Sequence, residues 1–173
     1  MILVIGSKTY SSWSLRPWLV LKHFGIAFEE KLILLDRPES SAKIRKFSPT
    51  GQVPALIDGD LTICESLAIC EYLNDRFPHL KMWPVDLKAR ALARSDSHEM
   101  HAGFQKLREV MPHDLSQRRP GFNGTAAHQD IIRIQGSAGA YMETLLRHPA
   151  LQQWRDEALR ESAPPSSEVP LLS

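Results

Sequence analysis

Ser11 and Ser14 stand three positions apart in the run Tyr10-Ser11-Ser12-Trp13-Ser14-Leu15-Arg16, directly after a short apolar segment and a polar loop. A hydroxyl at such a strand-loop-helix corner meets unpaired backbone N–H groups and the positive end of a helix dipole, which together favour an anion. Two cysteines at this spacing would make a redox pair. Serines in their place exclude disulfide exchange here and leave a hydroxyl able to donate to a thiolate brought in by a ligand. On cap preferences alone, Ser11 and Ser12 also fit plain loop or N-cap serines. Elsewhere, His98-Glu99-Met100-His101 suggests a metal, but its histidines are three apart where the zinc-helix pattern needs four, and no third ligand accompanies them. No metal is expected. Cys64 and Cys70 form neither a CxxC pair nor a metal knuckle and are expected to be reduced core residues.

The elements that must hold these residues follow from periodicity. Ile2 to Ile5 is a continuous apolar run, the pattern of a buried strand, and Gly6 to Ser12 is the polar loop after it. A helix follows, with Ser12 or Ser14 as its cap, Pro17 in its first turn and Gly25 at its left-handed C-terminus. Phe28 to Leu35 returns to strand, so a parallel βαβ unit is expected. Ala42 to Phe47 suits a short helix. Val53 to Ile57 and Leu61 to Cys64 flank Asp58-Gly59-Asp60, a tight hairpin signal. Ser66 then caps a helix that Pro78 stops. The predicted order is βαβαββα.

Beyond Pro78 the pattern changes to helical spacing without strands. We therefore divide the chain into an α/β domain at 1–78, a linker at 79–85, a shortened all-helical domain at 86–161 and a disordered tail at 162–173. Met100, Phe104, Leu107 and Met111 recur as one helix face would require, with Pro112 ending it. Arg118 to Thr125 is expected to be a loop, Asp130 to Gln135 and Tyr141 to His148 helices, and Ala150 to Leu159 the last helix. Lys plus Arg total 21 against 20 Asp plus Glu, so no excess charge draws nucleic acid or an anionic membrane. No stretch approaches the roughly 20 apolar residues that cross a bilayer, and the start Met1-Ile-Leu-Val-Ile5-Gly6 has no basic leader. The cytoplasm is the expected location.

Three blocks carry a likeness to a known family: Ser11-Ser12-Trp13-Ser14-Leu15-Arg16, Ser48-Pro49-Thr50-Gly51-Gln52-Val53-Pro54-Ala55-Leu56, and Ile63-Cys64-Glu65-Ser66-Leu67-Ala68-Ile69. In this order the chain resembles the glutathione S-transferases, specifically the serine-type group with zeta-like or maleylacetoacetate-isomerase-like members. Trp13 and Leu15 replace a cysteine and a tryptophan of the zeta signature. The resemblance implies a thioredoxin-like N-terminal domain followed by an all-α domain. It also implies glutathione as co-substrate, held by Ser11, Ser12, Arg16, Val53, Pro54, Glu65 and Ser66, with Ser11 as the catalytic thiolate partner. Pro54 would be cis and expose the Val53 main chain to the cysteinyl part of the ligand. Glu65 and Ser66 would take its zwitterionic γ-glutamyl end at a helix N-terminus. Lowering a thiol pKa from about 8.5 to about 6.5 needs roughly 2.7 kcal/mol, within reach of one charge-assisted hydrogen bond plus a helix terminus.

The resemblance further implies a second-substrate pocket, with Met100, His101 and Phe104 as candidates to line it, and a homodimer. It weakens in the middle of the helical part. Where the family has further helices, including a buried one opened by a capping box, this chain has only Gly136-Ser137-Ala138-Gly139-Ala140 between Gln135 and Tyr141. Three readings follow: conjugation of glutathione to a small hydrophobic electrophile, glutathione-dependent cis-trans isomerisation, and a non-catalytic glutathione-binding or interaction module.

Overall fold

The computed structural model describes residues 1–116 and 125–161. Most of the expected loop at 118–125 and all of the tail at 162–173 lie outside the described residues. The chain runs β1 (Ile2–Gly6), α1 (Ser12–His23), β2 (Glu29–Ile33), α2 (Ser40–Arg45), β3 (Ala55–Asp58), β4 (Leu61–Cys64) and α3 (Ser66–Arg76). The predicted βαβαββα order is present. The sheet has the order β2-β1-β3-β4, with β1 parallel to β2 and antiparallel to β3, and β3 antiparallel to β4. The alternation of a strand sends Leu3 and Ile5 of β1 to one face, against Trp18, Leu21, Ile69 and Leu73. Val4 points to the other, against Ile33, Ile44 and Ala55. Both faces are covered, which is why β1 is an unbroken apolar run.

Two glycines act as expected. Gly25 follows α1 with φ 64, and the bonds Gly25 N–H to Lys22 O and Ile26 N–H to Leu21 O close the helix in a Schellman arrangement. Gly59 takes φ 63 in the two-residue turn between Asp58 and Leu61. Other expectations shift. Pro17 lies inside α1 and not in its first turn, because the helix is capped by Ser11 and begins at Ser12. Glu65, not Ser66, caps α3, since its longer carboxylate reaches the free amides. Val53 stands outside the ladder, which starts at Ala55.

The helical part comprises α4 (Leu87–Ala102), α5 (Gln105–Val110), α6 (His128–Leu146) and α7 (Pro149–Glu161). The single face predicted through Met100, Phe104, Leu107 and Met111 does not form. The chain breaks between α4 and α5, where Phe104 takes φ 60 and buries its ring beneath the Arg133 guanidinium. Arg108 donates to the freed Gly103 and Met100 carbonyls, and Asp130 accepts the Leu107 N–H. Conversely, α6 runs straight through residues 136–140, joining two helices expected to be separate. Among the described residues no helix is long and apolar enough to cross a membrane, and no cluster of three or more His, Cys, Asp or Glu is placed to hold a metal.

The last helix is pinned to the loop after β1. Lys8, 3% exposed, pairs with Glu30 of β2 at 2.7 Å and with Glu157 of α7, and its ammonium lies over the rings of Trp18 and Trp154. Trp154 is fully buried, packs edge-on against Trp18 at 5.1 Å and donates its indole N–H to Lys8 O at 3.0 Å. Thr9 adds a bond to Ala158 O. Truncating Trp154→Ala therefore removes a filled volume, a ring pair and a buried acceptor's donor together. The expected loss is about 3–5 kcal/mol, read as a lower urea midpoint at unchanged slope. Trp154→Phe, which keeps most of the ring volume, should lose less than half of that. Equal midpoints for wild type and Trp154→Ala would show that α7 does not hold the loop.

Candidate functional site

The β1–α1 loop delivers Ser11 to the N-terminus of α1, where its hydroxyl is the cap: Ser11 Oγ accepts the Ser14 N–H at 3.3 Å. Ser11 is 6% exposed and gives its own proton to Ser14 Oγ at 2.7 Å. Ser14, fully buried, also accepts the Gly6 N–H at 3.1 Å and so ties the end of β1 to α1. Donation from Ser11 to a bound sulfur therefore requires only that the hydroxyl turn about one single bond away from Ser14. Ser12 opens the helix, half-buried, with its amide bonded to Tyr10 O at 3.1 Å. The role of Ser14 was legible only as the second member of the Ser11-Ser14 spacing.

The antiparallel register of β1 and β3 brings Val53 beside Gly6, where a Cβ added at Gly6 would lie 3.0 Å from Val53 Cγ2. The Val53-Pro54 peptide is cis, as expected from the resemblance. Pro54 is buried, Val53 is half-buried, and among the described residues no main-chain bond uses the Val53 N–H or C=O. That leaves one unpaired strand position next to the Ser11–Ser14 corner. An extended peptide can bond there as an added strand does.

At the start of α3, Glu65 is a non-glycine residue with φ 87, a backbone state that costs about 1–3 kcal/mol. The strain points its carboxylate over the helix end. Oε2 accepts the Leu67 and Ala68 N–H groups at 3.0 and 3.1 Å, and Oε1 accepts the Ser66 hydroxyl at 2.9 Å. Partial burial opposes ionisation, but the Ala68 and Leu67 amides, the Ser66 hydroxyl and His101 outweigh it and hold the carboxyl below its usual range. The anion position expected for a ligand is thus partly filled by the chain's own carboxylate. Among the described residues the Ser66 N–H makes no bond and stays available beside it.

His101 joins the two helix ends. Its Nδ1 lies 3.5 Å from Glu65 Oε1 and has no hydrogen-bond partner of good geometry, while its ring meets Trp13 edge-on at 5.1 Å. Trp13 is flanked by the guanidinium groups of Arg16 and Arg108 at 4.2 and 4.8 Å from its ring centre. Burial first, then the Arg108 charge, lower the Arg16 pKa from its ordinary value. Of the three residues expected to line a second-substrate pocket, only His101 reaches this cluster. Met100 lines a separate cavity, and Phe104 packs under Arg133. Arg108 was not legible in the sequence, because only the break between α4 and α5 turns it toward Trp13.

Because the folded Glu65 carboxyl titrates low, the stability it contributes is fully present above about its ordinary value of 4.5 and is lost as pH falls through the folded value. Glu65→Gln should therefore be about 0.5–2 kcal/mol less stable near pH 7, with the gap closing as pH is lowered toward about 3. Denaturant titrations of both proteins across that range measure it. A gap that stays constant would mean that the carboxylate charge is not what holds the helix end.

Residues 10–76 match the family described as glutathione S-transferase, N-terminal domain. A probable maleylacetoacetate isomerase from Caenorhabditis elegans is 33% identical over 126 residues, covering 72% of this chain and 58% of the relative. Glutathione S-transferase 1 from Dianthus caryophyllus is 36% identical over 105 residues, covering 60% of this chain and 47% of the relative. The chain thus spans about half the length of these curated relatives. Among solved structures, a glutathione transferase homolog from Burkholderia with bound glutathione superposes with a TM-score of 0.65 at 24% identity, covering 92% of this chain and 97% of that one, a likeness of fold. Residues 10–76 thus match the glutathione S-transferase N-terminal domain family, and the fold around them is the thioredoxin-like one of the solved transferases.

Proposed function

We propose that this protein is a glutathione transferase that binds glutathione across the N-termini of α1 and α3 and uses Ser11 to stabilise its thiolate for attack on a small hydrophobic electrophile. The observation that carries the reading is the convergence of three unused or redirectable groups: the Ser11 hydroxyl, the unpaired Val53 main chain before cis-Pro54, and the Ser66 N–H beside Glu65. The cysteinyl segment pairs with Val53. The γ-glutamyl carboxylate takes the Ser66 N–H, its ammonium faces Glu65, and Ser12 and Arg16 add contacts from α1. The thiol proton leaves to solvent, Ser11 donates to the sulfur, and the thiolate forms a carbon–sulfur bond as the electrophile expels its leaving group.

The relative named probable maleylacetoacetate isomerase favours a second reading of the same site. There the thiolate adds to an unsaturated acid, the former double bond rotates, and the sulfur leaves again, so glutathione is regenerated. We further propose that the protein works in the cytoplasm as a detoxifying homodimer, domain 1–78 of one copy meeting the first helices of region 86–161 of another. Leu87 and Leu92, 72% and 58% exposed, supply apolar surface at the start of that region, and Val85, 71% exposed, extends it into the linker. Light scattering should give twice the chain mass.

Turnover of glutathione with a chlorinated nitroaromatic tests the main reading, and calorimetric titration of glutathione tests binding alone. Ser11→Ala should lower kcat/KM by about 10²–10³, the usual effect of removing one donor to a developing or stabilised anion. Its glutathione Kd should move by less than about threefold. Full activity in that variant removes Ser11 from the chemistry, and binding without turnover of either substrate class leaves the non-catalytic module.

A further inference from the structure

The Ser11 hydroxyl has a single hydrogen, and that hydrogen is already committed. It donates to Ser14 Oγ at 2.7 Å, while the Ser11 oxygen accepts the Ser14 N–H at 3.3 Å through a lone pair. The two bonds differ in what they allow. The cap bond persists whatever Ser11 does with its hydrogen, whereas donation to a ligand's sulfur breaks the bond to Ser14. Little water reaches either partner, since Ser11 is 6% exposed and Ser14 is fully buried. Ser14 is in turn held as an acceptor, because its Oγ also takes the Gly6 N–H from the end of β1 at 3.1 Å. The Ser11 oxygen does not depend on that hydroxyl for its place, because the cap bond runs to the backbone of residue 14. Ser14 Oγ thus sets where the Ser11 hydrogen points, while the helix cap sets where the oxygen sits.

We propose that Ser14 is a positioning residue that competes for the Ser11 hydrogen, so that Ser11 turns to a bound sulfur only when that sulfur is a thiolate. The proposal rests on Ser11 being the donor to the glutathione thiolate, and it adds the group that opposes that donation. A hydrogen bond to a charged acceptor is roughly twice as strong as one between neutral groups. A thiolate therefore wins the hydrogen from Ser14. A thioether sulfur is a weak acceptor and leaves the hydrogen where it is. Once the thiolate has formed its carbon–sulfur bond, the sulfur is a thioether, and the Ser11 hydrogen returns to Ser14. The same contact that weakens Ser11 as a donor thus releases its hold on the sulfur after reaction. Removing the Ser14 hydroxyl takes away the competitor and keeps the cap, so thiolate formation becomes easier.

The test follows the titration of glutathione bound to the full chain by the ultraviolet absorbance of its thiolate. Ser14→Ala should lower the midpoint by about half to one pH unit, a gain of about threefold to tenfold in thiolate formation. Ser11→Ala should raise it. A purely structural role for Ser14 predicts the opposite sign, since a loosened Ser11 would donate less well. Alanine at 14 also leaves the Gly6 N–H without its acceptor, so a measurement on the wild type accompanies the variants. The Gly6 amide resonance reports on Ser14 Oγ, and with glutathione bound it should shift with pH in step with the thiol. With S-methylglutathione, which cannot form a thiolate, that step should be missing. Absence of glutathione binding, or a midpoint unmoved in Ser11→Ala, removes Ser11 as the donor and this proposal with it. A midpoint that rises in Ser11→Ala but does not fall in folded Ser14→Ala, or the same Gly6 titration with both ligands, overturns the competition alone and leaves Ser11 in its role.

Discussion

Burying the Lys8 ammonium is the constraint on which the arrangement of this protein rests. A lysine 3% exposed must find its charge partners inside, and here they come from an edge strand and the last helix, Glu30 and Glu157, with two indole faces beside it. Desolvation makes each ion expensive alone, so the network holds only when all its members are in place. Lys8 belongs to the same short loop that ends in Ser11. Fixing the ammonium therefore fixes where the cap of α1 begins, and a helix from the far end of the described chain becomes part of the scaffold of the site.

With that loop held, the site is assembled from helix and strand ends rather than from a preformed set of side chains. Ser14 ties β1 to α1 and receives the Ser11 proton, so the catalytic candidate is oriented by a fully buried hydroxyl. Glu65 accepts backbone strain to lay a carboxylate over α3, and His101 reaches across from α4 to meet it. A site built this way gains precision from helix termini whose amides point outward in any case. It leaves little room for a displaced residue, because each group is positioned by a partner on another element.

The helical part departs most from what its family would supply. α6 passes straight through residues 136–140, where a break between two helices was expected, and the second half of α1 faces a chamber lined also by α3, α4 and the end of α6. α1 thus divides its duties along its length. Its N-terminal end presents Ser11 and Ser14, and its later turns line an apolar space in which, among the described lining residues, Arg16 is the one permanent charge.

Much of the N-terminal half is legible in the amino-acid sequence alone. The apolar run of β1, Gly25, Asp58-Gly59 and the three motif blocks act through neighbours a few residues away, so element order, the parallel βαβ unit and the proline before β3 follow from local pattern. The same local reasoning misplaces the cap of α1 and of α3 by a residue or more, because capping depends on which side-chain oxygen reaches an amide once the loop has its shape. It also continues a helix through Phe104, where burial of one ring outweighs the helical period. What only the tertiary structure decided is the set of distant partners: Trp154 and Glu157 on Lys8, Arg108 on Trp13, His101 beside Glu65. Glu157 lies 149 positions from Lys8, and no periodicity or turn preference acts over that span. Such pairs exist only because packing brings the groups together and charge removed from water must then find its complement.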